Sequence, residues 1–239
     1  MISVAFANLK PGTTKTTSAV MLAAEFHRRG LDVLLVDNDP AGSALRWADL
    51  AGGFPWQVIG MPTRQISREL PTLAKRVGPD VVIADLPQME DHADKARAAL
   101  AVTDHWIVPV APAGIEVDRT KDVFAHMDQV DAIRSADAHR LVFFTRTNTR
   151  RQTKNGPDAV NREAFRDHLQ VPVFCDQVPF NDTLFRQSYA DMPITEGTAY
   201  ETLADYLLFY APDHDGFAQA WAAERKAKRD ADVYGAPTA

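Results

Sequence analysis

Between residues 10 and 17 the chain reads KPGTTKTT, which puts two lysines, a glycine and paired threonines within a few peptide units of one another. Gly12 allows a tight turn that turns backbone N–H groups inward, and Lys15 can neutralise anionic oxygens. The hydroxyls of Thr16 and Thr17 can bond a phosphate or a divalent cation at a helix start. That combination is the chemistry of a triphosphate cradle. The ordinary loop, G-x-x-x-x-G-K-[ST], requires glycine at positions 9 and 14, where Leu9 and Thr14 stand. It also has no use for a second cation at Lys10.

A triphosphate site needs more than a loop. It needs a carboxylate and a hydroxyl to hold Mg²⁺, and a group that orients the attacking water. Asp85 follows four apolar residues in DVVIADLP and is placed for the metal shell. Asp39, in VDNDPAG, is placed near the γ-phosphate, with Asp37 as the other candidate. Each residue also has an ordinary reading: a capped helix start for the threonines, and turn or N-cap positions for the aspartates. Their joint arrival at successive strand ends favours the chemical one.

The elements that must position these residues can be read from patterning. Apolar, β-rich runs at Ile2–Ala7, Val33–Val36, Val81–Ala84, Trp106–Val110, Leu141–Phe144 and Val171–Cys175 alternate with segments of helical period. Those segments are Ser18–Arg29, Gly42–Leu50, Ile66–Val77 and Arg119–Ile133. Continuous apolar strands separated by helices predict a doubly wound α/β fold, a mainly parallel sheet with helices on both faces. In such sheets ligands bind beyond the carboxyl ends of the strands. The loops carrying Lys10–Thr17, Asp37–Gly42 and Asp85–Gln88, and the VPVAPAG exit at Val108–Gly114, all fall at that edge.

Composition sets outer limits. A chain of 239 residues with 46% apolar content is expected to fold as one domain over its whole length, 1–239, with a terminal helix and tail from about 213. A net charge of −6 argues against a surface that coats nucleic acid everywhere, while leaving local basic patches open. A single cysteine, Cys175, rules out a disulfide framework and points to a reducing compartment. It also excludes iron–sulfur and zinc-clipped relatives of the loop. No run reaches the ~20 apolar residues of a membrane-spanning helix, so the expected location is cytoplasmic.

The segments KPGTTKTT, LLVDNDPAGSALRWADL, DVVIADLP and WIVPVAP together resemble the deviant Walker A, switch I, Walker B and following proline-rich segment of ParA-type partition ATPases, within the MinD/ParA group of P-loop NTPases. LVFFTRTN and VPFNDTLFRQSYADMPITE are similar to that family's later nucleotide-edge and C-terminal segments. The resemblance implies an ATP hydrolase, with Mg²⁺ and ATP as cofactors. In it Pro11, Gly12, Thr13, Thr14, Lys15, Thr16 and Thr17 cradle phosphates, Thr16, Asp39 and Asp85 serve the metal, and Lys15 and Asp39 act in hydrolysis. Lys10 reaches across an ATP-dependent homodimer to the partner's phosphates. Base-edge residues are implied near Thr145, Arg146, Pro179 and Phe180. Three departures stand out: Pro11 for the first glycine of the family's pair, Thr14 for a usual glycine, and Ala41 where glutamine is common. None removes a charge, so binding is expected to persist while hydrolysis slows.

The chain starts almost at the loop, which resembles the short plasmid-partition type without a leading helix-turn-helix domain. That implies sequence-independent DNA contact through basic residues such as Arg150, Arg151, Lys154 and Arg186, nucleoid association when ATP is bound, and a ParB-like adaptor that promotes hydrolysis. A further basic cluster, Arg225, Lys226, Lys228 and Arg229, lies near the end. Two rivals come from other classes. A MinD-like membrane regulator would use GFAQAWAAERKAKRD as an amphipathic anchor, but that stretch has few large apolar residues, so no membrane partner is expected. A metabolic P-loop ligase would use the same triphosphate site on a small carboxylate or amine.

Overall fold

The computed structural model describes residues 1–147, 171–180 and 189–209. Its central strands form where the sequence is β-branched and apolar on both sides of the pleat, and shorter or more polar strands extend the sheet. The strands are β1 (Ile2–Phe6), β2 (Val33–Asp37), β3 (Gln57–Gly60), β4 (Val81–Asp85), β5 (His105–Val110), β6 (His139–Thr147) and β7 (Val173–Pro179). They make one seven-stranded sheet of order β3-β2-β4-β1-β5-β6-β7, and every pairing is parallel. The doubly wound α/β expectation holds.

The pleat splits the core into two layers. On one face Ile2, Val4, Phe6, Leu35, Ile83 and Phe143 pack under α1 (Lys15–Arg28), α2 (Ser43–Leu50) and the last described helix, α6 (Ala199–Phe209). On the other, Ala5, Leu34, Val82, Trp106, Val108 and Phe144 pack under α3 (Ile66–Val77), α4 (Met89–Leu100) and α5 (Gly114–Asp131). Burial on both faces explains why the central strands are continuous apolar runs rather than alternating ones.

Several boundaries differ from the sequence reading. Helix α1 starts at Lys15, not Ser18, because the threonines belong to its first turn. Strands β2 and β4 extend by one residue, so that Asp37 and Asp85 close them. Strand β7 runs Val173–Pro179 rather than Val171–Cys175. Strand β3, on the sheet edge with exposed ends, was not anticipated. Among the described residues no helix is long and apolar enough to cross a membrane.

Candidate functional site

The turn after β1 is fixed by its neighbours. Asn8 is buried; its side-chain amide donates to the Pro109 carbonyl at 2.7 Å, and its Oδ1 accepts from the Leu9 amide at 2.6 Å. The first amides of α4, from Met89 and Glu90, donate to the Asn8 and Leu9 carbonyls at 3.2 and 3.0 Å. Strand β5 and helix α4 thus hold the start of the loop. Gly12 then takes a φ of 71°, where glycine is at ease. Pro11 and Gly12 are exposed at the loop's rim.

Thr14 also lies in left-handed space, at φ 67°. A side chain there costs roughly 1–2 kcal/mol, and branching at Cβ does not ease it. The Thr14 hydroxyl donates to Oγ1 of Thr145 at 3.0 Å, which ties the loop to β6. Inside the loop, the Thr13 hydroxyl and Lys15 Nζ both donate to the Lys10 carbonyl, at 3.2 and 3.0 Å.

Lys15 opens α1 and is only 6% exposed. Burial pushes its ammonium pKa down, while the nearby Asp85 and Asp39 carboxylates pull the other way. No side chain caps the N-terminus of α1, so its first-turn amides and the positive end of its macrodipole face the loop. Backbone donors and a buried cation therefore converge on one point, an arrangement suited to a polyanion.

Asp85 ends β4, in register with Phe6 of β1 and Asp37 of β2. It is fully buried, and neither carboxylate oxygen has a hydrogen-bond partner of regular geometry. Burial, and then the Asp37 charge, push its pKa up to about 8; the Thr16 hydroxyl and Lys15 offset part of this, and Asp39 adds to it. A buried carboxylate without a partner is costly, and a divalent cation removes that cost. Among the described residues no three His, Cys, Asp or Glu side chains form a metal cage. Mg²⁺ does not need one, since one or two carboxylates with water and phosphate oxygens suffice. Asp85, with Thr16 beside it, fits such a site.

The structure separates the two aspartates that the sequence left open. Asp37 is fully buried, and its Oδ2 accepts from the Ala44 and Leu45 amides at 2.9 and 3.1 Å while Oδ1 accepts from the Asp39 amide at 3.1 Å. It anchors the start of α2; burial raises its pKa even against these bonds. Asp39 is half-buried in the loop that follows, with Oδ1 accepting from the Ala41 amide at 2.9 Å. Asn38, between them, is tied down by donation to the Met61 carbonyl at 2.6 Å. Of the pair, Asp39 is the one left facing the loop edge.

Lys10 is half-exposed, with Nζ 4.0 Å from a carboxylate oxygen of Glu90 in the first turn of α4. On the other flank Thr145 is buried, and Arg146 follows with φ 56° and a buried Nε that has no partner. Pairing of Thr147 with Pro179, and donation from the Phe180 amide to the Thr147 carbonyl at 2.8 Å, bring Pro179 and Phe180 to the same edge. The Phe180 ring is 62% exposed. Thr17 lies half-buried one turn into α1. Arg150, Arg151, Lys154, Arg186 and the cluster at Arg225–Arg229 lie outside the described residues. Asn8, Asn38 and Glu90 went unremarked in the sequence. For Asn8 a signal existed, a polar amide directly at the end of an apolar run; for Glu90 none did.

The family of CobQ/CobB/MinD/ParA nucleotide binding domains (CbiA) matches residues 4–194. A carboxysome distribution maintenance protein A of Gloeobacter kilaueensis is 36% identical over 114 residues, covering 48% of this chain and 51% of that protein. A protein ParA of Rhizobium radiobacter is 28% identical over 142 residues, covering 59% of this chain and 63% of that protein. The matched region thus spans between half and two thirds of these relatives' length. Among solved structures, cobyrinic acid a,c-diamide synthase of Mycobacterium smegmatis, with an ATP analogue and magnesium, superposes with a TM-score of 0.66 at 19% identity, covering 88% of this chain and 95% of that one. At that identity the likeness speaks to the fold alone. With the family spanning the loop, both aspartate-bearing strand ends and β6, the chain belongs to the CobQ/CobB/MinD/ParA nucleotide-binding domain family.

Proposed function

We propose that this chain is an ATP-dependent dimerising switch that partitions or positions a large cargo, with residues 1–239 acting as one ATPase domain. One observation carries the reading. A buried carboxylate, Asp85, with no hydrogen bond of regular geometry, stands beside a buried lysine and the Thr16 hydroxyl at an uncapped helix N-terminus. That arrangement is suited to a magnesium-bound triphosphate, and the solved structure of the same fold that holds an ATP analogue and magnesium supports the choice.

Lys15 holds the β- and γ-phosphates. Thr16 and Asp85 would hold Mg²⁺, which would supply positive charge against the outer phosphates, and Asp39 orients water. Lys10 serves the partner's site: it sits on the exposed rim, held by a single 4.0 Å ion pair to Glu90 with more than half of the Glu90 side chain in solvent. An exposed pair of that kind is worth about 0–1 kcal/mol, so reaching into a facing subunit costs little. Charge supplied in trans speeds phosphoryl transfer, which makes dimerisation the gate. The dimer binds nonspecific DNA through Arg150, Arg151, Lys154 and Arg186, and a ParB-like adaptor promotes hydrolysis and release. The protein works in the cytoplasm, on the nucleoid when ATP-bound. The similarity to ParA and to a carboxysome distribution protein supports cargo positioning.

A second reading, an amide-forming ligase, has the diamide synthase neighbour in its favour. Sedimentation with ATP, ADP or no nucleotide separates the two. We expect dimers with ATP alone, none for Lys15→Ala, and ATP-bound monomers for Lys10→Ala. Dimerisation indifferent to nucleotide, or a Lys10→Ala variant that behaves as wild type, refutes the switch. Turnover that needs a small carboxylate and ammonia supports the ligase.

A further inference from the structure

We propose that Thr145 is a positioning residue for the phosphate loop, acting through Thr14, and not a contact for the nucleotide base. The inference rests on reading the loop as a triphosphate site and adds a residue to how that site is held. Three non-glycine residues among those described have positive φ; one of them, Thr14, forms one end of a hydroxyl bridge, and another, Arg146, follows its other end. The bridge, Thr14 to Thr145 at 3.0 Å, joins residues 131 positions apart.

The reasoning starts from what each side can do alone. Glycine at position 14 would hold a left-handed conformation without strain. Threonine does not, so its conformation has to be imposed from outside, and the bond to Thr145 is the contact that imposes it. Thr145 is fully buried with its hydroxyl engaged by Thr14, which leaves no face for a base to stack on. The end of β6 is shaped for the contact: register shifts on both sides of Phe144 interrupt its pairing with β7. Arg146, left-handed itself, follows immediately. A left-handed threonine in the loop is thus bonded to the neighbour of a left-handed arginine in β6, so the shape of the loop at Lys15 depends on that strand.

The test uses two probes, Mg·ATP and magnesium with inorganic tripolyphosphate, which has the phosphates but no base. Equilibrium binding of each is measured for wild type, Thr145→Val, Thr145→Ser, Thr14→Gly and the Thr14→Gly/Thr145→Val double variant. Thr145→Val is expected to weaken both probes by the same factor, on the order of fivefold to tenfold, the equivalent of one hydrogen bond. Thr145→Ser keeps the hydroxyl and restores binding. With glycine at 14, adding Thr145→Val changes affinity by about twofold or less, because the loop no longer needs the bond. Loss of ATP affinity with tripolyphosphate untouched would identify a base contact and overturn the proposal. So would an unchanged Thr145→Val, or an equal loss in the glycine background. A wild type that binds neither probe would fail the triphosphate site itself, a distinct outcome.

Discussion

Replacing Asp85 with asparagine is expected to stabilise the nucleotide-free protein at neutral pH, although it removes a residue on which the proposed function depends. The carboxyl pKa is raised from 3.8 to about 8, first by burial and then by Asp37. The folded state therefore holds a proton that the unfolded chain has released, and stability falls as pH rises from about 4 towards 8. Across pH 5 to 8 nearly three pKa units are involved, an upper limit of about 4 kcal/mol. That pKa already contains the opposing pull of Thr16 and Lys15, and the loss across this window comes to about 2–4 kcal/mol. Asparagine carries no such slope.

The measurement is urea or thermal unfolding of both proteins between pH 5 and 8, without nucleotide or metal. The stability difference should widen towards pH 8, with a melting separation that grows by roughly 4–16 °C at 2–4 °C per kcal/mol. With Mg·ATP in excess the gap narrows, because only the wild type gains ligand stabilisation, about 2.7 kcal/mol at a hundredfold excess over Kd and about 4.1 kcal/mol at a thousandfold, where the order reverses. Parallel pH profiles for the two proteins would show that Asp85 is satisfied in the free protein, and the argument for a cation site would lose its base.

Other changes probe neighbouring parts. Asp37→Ala strands the amides of Asp39, Ala44 and Leu45 and should cost about 2–3 kcal/mol in chemical denaturation. Glu25 is fully buried under bonds from Arg28, Arg29 and Thr195; Glu25→Gln should cost about 3–5 kcal/mol, seen as an earlier urea midpoint. Burial opposes ionisation of Glu25, yet the bonds from Arg28, Thr195 and Arg29 prevail and hold its pKa below 4.5. Its stabilisation is thus present above pH 4.5 and lost on acidification, so the Gln variant should lack part of the wild type's acid transition. Lys15→Met should leave melting near wild type while weakening ATP binding by about a hundredfold or more, since it removes a charge-assisted contact on a buried phosphate, as read by fluorescent-nucleotide titration.

Much of this was legible because the site lies at the ends of strands whose composition announces them. The runs at Ile2, Val33, Val81 and Trp106 are buried on both faces and admit no amphipathic alternative, so the loops that follow had to share an edge. What escaped the sequence depended on long-range contacts or weak patterning. The strand Gln57–Gly60 is short and exposed at its ends, so it has neither alternation nor an apolar run. Helix α4 buries only Met89, Ala96, Ala99 and Leu100 behind a charged first turn, which dilutes its period. The choice between Asp37 and Asp39 rests on which one the amides of α2 claim, and those lie seven and eight positions away. The conformation of Thr14 was foreseeable as a constraint, but its partner in β6 was not.

The two edges of the sheet differ in the ionisable groups they bury, and that difference supports the proposed site. At the amino edge the buried Trp106 is flanked by the Arg134 and Arg140 guanidinium groups, each 5.6 Å from its ring, and its N–H donates to the Thr103 carbonyl at 2.9 Å. Arg134 caps the carbonyls of Leu100 and Ala101, and Arg140 pairs with Asp131. The buried His105, driven by burial to a pKa of about 4, stays neutral against the His139 ring, with no hydrogen-bond partner for either ring nitrogen. At the carboxyl edge Lys15, Asp37 and Asp85 are buried together, and Thr14 and Arg146 are held in left-handed backbone. Close burial of these ionisable groups and backbone strain are tolerated there because the rest of the molecule is well packed. Relief of that edge needs both signs: an anion for Lys15 and the α1 amides, and a cation for Asp85. A metal-free nucleotide supplies the first and brings further negative charge towards a carboxylate that already resists ionisation. The physical preference is therefore for the magnesium complex as a unit, which places the divalent ion within the binding step itself.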